Sequence, residues 1–276
     1  MKKMGVPGKI IFVLILLLHK SIQQETFNDR ATLNVPENEI GWMKNLDEEK
    51  LISDITIPGT HDSLALHGGP AAECQAWSLQ DQLNAGIRYF DLRVSGFGLR
   101  IMHGPVSQHT TFPDVFNTIK TFLSKYKTET VLVRVKPVFF LLKNKVPGLV
   151  ENVIENDISW VADEIPKIGQ VRGKIVFVQK NSFELGIPLF ETDEHNDYIV
   201  TDVETKIQKI IMHLTEATDE HNRADKVVLN YSSGTGWPKV RLLNTPKSVA
   251  SEINPWLYNY LNNESKNPNP SLVLGL

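Results

Sequence analysis

The sequence predicts an α/β protein whose strands form a TIM-like (β/α)8 barrel of incomplete or irregular form. Three observations predict it. Up to eight short apolar strands alternate along the chain with helices or loops, and such alternation implies parallel crossovers. The strands read as near-continuous apolar runs, as a parallel sheet covered on both faces requires. Eight such units in roughly 230 residues suit a closed barrel. The G-x-G-x-x-G turn of an open dinucleotide-binding sheet is missing from the sequence.

Taken in order, Leu51–Ile57 is the first strand expected, followed from His61 to Trp77 by a loop rich in Gly, Pro and Ala. Ser78 is placed to cap a helix carrying Leu79, Leu83 and Ile87, with Gly86 where it should stop. Ile87–Val94 and Leu99–Met102 are the second and third strands. Residues 112–126 put Phe112, Val115, Phe116, Ile119, Phe122 and Leu123 on one helical face. Strands are expected at 130–135, 174–178, 198–200, 226–230 and 271–276. Residues 147–165 read as helical or mixed, and 187–197 as irregular. Helices are expected at 203–214, with Ile207, Ile210, Ile211 and Leu214 inward, and at 248–261 despite Pro255.

The N-terminus reads as a targeting segment. Lys2, Lys3 and Lys9 precede the nine apolar residues Ile10–Leu18, too few for the ~20 that span a bilayer. Residues 1–24 are therefore expected to be a signal peptide or anchor, 25–40 a lead-in and 41–276 the barrel, placing the protein in a secreted or luminal compartment. With 276 residues, 41% hydrophobic and 22% charged, a sizeable core is available. A net charge of −3 and a pI near 6.3 give no basic footprint for nucleic acid. A monomer is expected. Cys74 is the only cysteine, so no intrachain disulfide forms, and with no nearby base it reads as a packed thiol. Asn230-Tyr-Ser and Asn263-Glu-Ser are glycosylation sequons, the first beside an apolar strand. Trp77 and Trp237 lie in or beside rim loops, where a Trp can insert into a membrane interface, although core packing is the commoner fate of the residue.

The polar residues carry the functional argument. His61 and Asp62 follow the first strand, Asp91 and Arg93 lie toward the end of the second, and His103 and Lys136 end the next two. In a parallel barrel all these strand ends open on one face, which carries the active site. Two histidines allow one imidazole to take a proton and the other to give one, each oriented by an Asp. Arg93 and Lys136 match a phosphate oxyanion. The set fits base, acid and cationic clamp around a phosphodiester. A metal site built from the same His and Asp is the rival, and there Arg93 would compete with a cation for space and charge.

Three motifs, Ile57-Pro-Gly-Thr-His-Asp-Ser63, Gly86-Ile-Arg-Tyr-Phe-Asp-Leu-Arg93 and Met102-His-Gly104, carry a resemblance. With 129–136 and 173–178 downstream, the chain resembles the X domain of the phosphatidylinositol-specific phospholipases C, over roughly residues 40–276. The likeness is closer to the bacterial, metal-independent branch. The resemblance implies an incomplete TIM-like barrel that cleaves phosphatidylinositol to diacylglycerol and a cyclic inositol phosphate, without cofactor or metal, at a membrane surface. It implies His61 as general base on the inositol 2-hydroxyl and His103 as general acid, with Asp62 assisting the leaving group. Arg93 would stabilise the phosphate where calcium-dependent relatives use a metal, and Asp91 would orient its neighbours. Lys136, Lys180 and Tyr198 fall where the family contacts the inositol ring.

The chain departs from the bacterial pattern at Lys180, where that pattern has Arg, and at Asn196, where it has Asp. Family members also continue to an Asp that pairs with the base histidine, whereas this sequence runs to Ser271-Leu-Val-Leu-Gly-Leu276. The alternative expectation is therefore a non-catalytic binder of inositol lipids or glycans. The related glycerophosphodiesterases place His-Arg-Gly after their first strand, which Thr60-His-Asp62 does not match.

Overall fold

Parallel pairing dominates the sheet. A computed structural model describes residues 35–138, 142–180, 183, 185–191, 198–217, 226–236, 245–264 and 273–275. Its strands are β1 (Ile57–Thr60), β2 (Tyr89–Ser95), β3 (Arg100–His103), β4 (Val106–Thr111), β5 (Val131–Val138), β6 (Ser159–Trp160), β7 (Ile175–Gln179), β8 (Ile187–Glu191), β9 (Val227–Tyr231) and β10 (Val273–Gly275). The ladder runs β1-β10-β9-β8-β7-β5-β2, all parallel. It meets β1 again through only two residue pairs, Gly59↔Tyr89 and Thr60↔Phe90. β6 lies beside the first half of β7 and β8 beside the second. The result is a TIM-type barrel of irregular form, as expected.

Alternation along the strands sorts side chains into two shells. Ile57, Tyr89, Leu132, Val176, Val178, Leu229 and Tyr231 pack with one another inside the barrel. Phe90, Leu92, Val94, Val131, Val133 and Val135 face outward into a second cluster. The seven α-helices are α1 (Glu37–Ile40), α2 (Leu79–Asn84), α3 (Phe112–Lys125), α4 (Val146–Glu151), α5 (Ile168–Val171), α6 (Val203–Ala217) and α7 (Pro246–Glu264) among the described residues. α3 covers the outward cluster with Phe112, Val115, Phe116, Ile119, Phe122 and Leu123, the face read from the sequence. A Thr111–Asp114 capping box starts this helix by satisfying backbone donors that lack helical partners. Ser78 likewise caps α2 by accepting from Asp81 N.

Several expectations are corrected. Residues 51–57 are not a strand. Leu51 makes one isolated bridge to Lys167, Ile52–Asp54 is a 3-10 turn, and β1 begins only at Ile57. The arm Arg100–His103 is not a barrel strand, because it runs antiparallel to β2 and forms a hairpin with β4. Residues 198–200 contribute a single bridge, Ile199↔Thr235, and the parallel positions are filled instead by β6 and β8. β8 lies inside the stretch read as irregular, where Pro188 masked its apolar alternation. On α6 the buried set is Lys206, Ile210, His213, Leu214 and Ala217, rotated slightly from the face expected.

The proposed signal segment, Asn196 and Trp237 lie outside the described residues, as does the side chain of Asn263. Asn230 is fully buried on β9, which closes that sequon to a glycan in the folded protein. Among the described residues no helix is long and apolar enough to cross a membrane.

Candidate active site

A single backbone turn sets up the site. β1 ends at Thr60, and Asp62 then takes a left-handed φ of +44°. Asp tolerates this region better than most residues, and the turn brings consecutive side chains His61 and Asp62 to one cavity. The turn is held by its neighbours. Ser63 Oγ donates to Thr60 O at 2.8 Å and accepts from Asp91 N at 2.8 Å, while Ser63 N donates to Asp91 O at 3.1 Å. Buried Gln82 on α2 accepts from Thr60 Oγ1 and donates to Ser63 O, both at 2.8 Å.

β2 and β5 supply the charges. Their register sets Asp91 beside Arg134 and Arg93 beside Lys136, all on inward-facing positions. Arg93 Nε lies 2.6 Å from Asp62 Oδ1, and Nη2 donates to Asp91 Oδ2 and to His61 Nε2, each at 3.0 Å. A guanidinium only donates, so His61 Nε2 is the acceptor and the proton of a neutral imidazole sits on Nδ1. That Nδ1 is 3.5 Å from Asp62 Oδ2, and His103 Nε2 is 3.4 Å from the same oxygen. One carboxylate therefore faces both imidazoles, where the sequence led us to expect one Asp for each. His103 reaches it because the β3 arm folds back along β2 rather than ending at the barrel rim.

Beneath these groups lies a second charged layer that the sequence reading missed. Arg134 Nη1 contacts Glu191 Oε1 and donates to Tyr231 Oη at 2.5 Å, and it lies 3.9 Å from Asp91 Oδ1. Tyr231 Oη donates to Glu191 Oε1 at 3.2 Å, and its ring meets the His61 ring edge-on at 5.2 Å. Two signals pointed to this layer. Arg134 sits two residues before Lys136, on the same face of β5, and Tyr231 continues the inward alternation of Val227 and Leu229.

The electrostatics follow from this packing. Burial pulls His61 below its ordinary value and outweighs the opposing pull of Asp62 and Asp91. Burial works against an ionised Asp91, yet Arg93 and Arg134 hold it well below the usual carboxylate range. Burial lowers Lys136, and Arg93 and Arg134 add to that shift. Burial also raises Tyr231 far above its ordinary range, helped by Asp91, so it acts as a neutral phenol.

The cavity occupies about 440 Å³ and is lined by His61, Asp62, Arg93, His103, Arg134, Lys136, Tyr198 and Tyr231, among others. Asp91 lies just below it, fully buried. Tyr198 is held at the mouth because Thr235 N donates to its carbonyl at 2.7 Å. Gly234 permits that approach, since a Cβ there would collide with Val200 Cγ2. Lys180 does not line the cavity; its Nζ pairs with Glu191 Oε2 at 2.7 Å. Cys74 does line it, with its thiol pushed up to about 12 by burial and by Asp62. His61, Asp62 and Asp91 group closely enough for a metal, but Arg93 already donates into the centre of that group.

Fold and site together define a TIM-type barrel in which one imidazole after β1 and another on the β3 arm flank a guanidinium. Residues 49–181 match the family model for the phosphatidylinositol-specific phospholipase C X domain. Among curated relatives, the 1-phosphatidylinositol phosphodiesterase of Listeria monocytogenes is 28% identical over 238 residues, covering 77% of this chain and 72% of that protein. That of Staphylococcus aureus is 25% identical, covering 90% and 86%. The solved phosphatidylinositol-specific phospholipase C from L. monocytogenes superposes with a TM-score of 0.71 at 25% identity, covering 85% of this chain and 92% of that one.

Proposed function

We propose that this protein cleaves phosphatidylinositol-type lipids at a membrane surface, giving diacylglycerol and a cyclic inositol phosphate, with no metal cofactor. The observation that carries the reading is the Arg93 guanidinium lying among His61, Asp62 and Asp91, with His103 across Asp62. A phosphodiester drawn to Arg93 competes for the donor that His61 Nε2 now accepts, which frees that nitrogen as a base. His61 then takes the proton of the inositol 2-hydroxyl as its oxygen attacks phosphorus. His103 gives a proton to the departing diacylglycerol oxygen, with Asp62 steadying its imidazolium. Arg93 offsets the charge gathering on the phosphoryl oxygens. Lys136 and Tyr198 at the cavity wall are the side chains placed to meet the inositol ring, and Lys180 acts there through Glu191.

The test is incubation of the purified protein with labelled phosphatidylinositol micelles in EDTA. Cyclic inositol phosphate is expected to form at the rate seen without chelator. Activity that appears only with added calcium would overturn metal independence. Lipid binding that survives His61→Ala, with no turnover in either protein, would make the chain a binder of inositol lipids instead.

A further inference from the structure

We propose that Asp62, Cys74 and His103 form a binding site for Zn2+, and that the bound ion inhibits the enzyme by capturing the imidazole assigned as general acid. The binding half stands on geometry alone; the inhibition half rests on the functional reading above. Ligand atoms of the three side chains all lie within 4.8 Å of one another. The set offers one sulfur, one imidazole nitrogen and one carboxylate oxygen, a donor mixture that suits Zn2+ and not Ca2+ or Mg2+. Zn–S bonds of about 2.3 Å and Zn–N bonds of about 2.0–2.1 Å ask for ligand atoms somewhat closer together than this outer limit. Binding would therefore draw the three ligand atoms inward.

The three residues are positioned before any ion arrives. Cys74 N donates to Ala65 O at 2.9 Å, and Gln75 Nε2 donates to His61 O at 2.9 Å, so the cysteine loop is fastened to the turn that carries Asp62. Arg93 Nε holds Asp62 Oδ1 at 2.6 Å and leaves Oδ2 directed at His103 Nε2, 3.4 Å away. A cation that grips a ligating carboxylate from its far oxygen is the kind of outer partner that orients metal ligands. Cys74 and His103 both line the cavity, which gives the ion an entry path and leaves a fourth tetrahedral position for water. On binding, the Cys74 S–H bond breaks, its proton passes to solvent and a Zn–S bond forms.

The test titrates the full chain with Co2+ as a spectroscopic stand-in and with Zn2+ by calorimetry, beside Cys74→Ser and Cys74→Ala. One ion per chain and a thiolate-to-cobalt charge-transfer band are expected for the natural sequence. Both variants should lose the band and bind Zn2+ more weakly by at least about tenfold. Their far-ultraviolet circular dichroism and melting should match the parent, so that the loss reports ligation rather than misfolding. A missing band, or equal Zn2+ affinity in the variants, overturns the site. Zn2+ should also suppress phosphatidylinositol cleavage reversibly, with EDTA restoring it. A bound ion that leaves turnover unchanged overturns the inhibition, whereas a protein that binds the ion but never turns over in EDTA overturns the functional reading and leaves the site intact.

Discussion

Arg88, just before β2, and Arg93, in its second half, stand five residues apart, and their surroundings could hardly differ more. Arg88 is fully buried with its donors spent. It pairs with Glu129 Oε2 at 2.9 Å and donates to the carbonyls of Ile40, Leu83 and Ile87, with its guanidinium 4.6 Å from the Phe122 ring centre. Glu129 is as buried, and also accepts from Met43 N. Arg93 keeps an exposed fraction of 17% and shares its donors with an imidazole and two carboxylates that line or underlie an open cavity. The first arrangement is closed and serves stability; the second leaves capacity for a ligand. This is the division between the N-terminal and C-terminal faces of a parallel barrel, carried by one residue type before and within one strand.

The contrast is open to direct attack. His61→Ala and His103→Ala, at the cavity end, should each lower turnover by about 10²–10⁴-fold, the usual contribution of a positioned acid or base, with little change in melting temperature. Losses under tenfold would remove these residues from the chemistry. Glu129→Ala should act in the opposite sense. Leaving Arg88 buried without its counter-charge should cost about 3–5 kcal/mol of stability, read from denaturant unfolding, while turnover per folded molecule holds. A folded variant with unchanged stability but lost activity would break the division. The smallest effect concerns pH. An imidazole can act as the proposed base only when neutral, and His61 lies below the ordinary 6.5 because burial opposes its charged form. The acid limb of kcat/KM should therefore fall at a pH lower than 6.5, and a limb at or above it would show that burial does not prevail.

Much of this was legible beforehand for physical reasons that differ by element. The face of α3 was readable because six large apolar residues recur at helical spacing and all of them are buried. His61, Asp62, Arg93 and His103 were readable because ionisable groups at the ends of apolar runs have few other uses. What escaped notice depended on tertiary context. The arm that delivers His103 runs antiparallel, and nothing in Leu99–Met102 reveals strand direction. β8 was hidden by Pro188, which a strand tolerates where its neighbour does not need the missing N–H. Glu191 escaped with it. Arg134 reads in sequence as one charge inside a strand, because its partner Tyr231 lies 97 residues away and only the fold brings them together.

The pairing of β2 with β5 has a consequence for how the chain avoids misfolding. Its register matches Tyr89, Asp91 and Arg93 with Leu132, Arg134 and Lys136 on the inner face, and apolar residues with apolar residues on the outer one. A slip of one residue in either strand would turn every side chain to the opposite face. Arg134 and Lys136 would then be thrust among the phenylalanines beneath α3, and Asp91 would lose the cations that keep it ionised. Unpaired charges in such surroundings cost several kcal/mol each. The same polar residues that line the cavity thus act as a proofreading device for strand alignment, and a barrel with purely aliphatic strands at this seam would have no comparable guard.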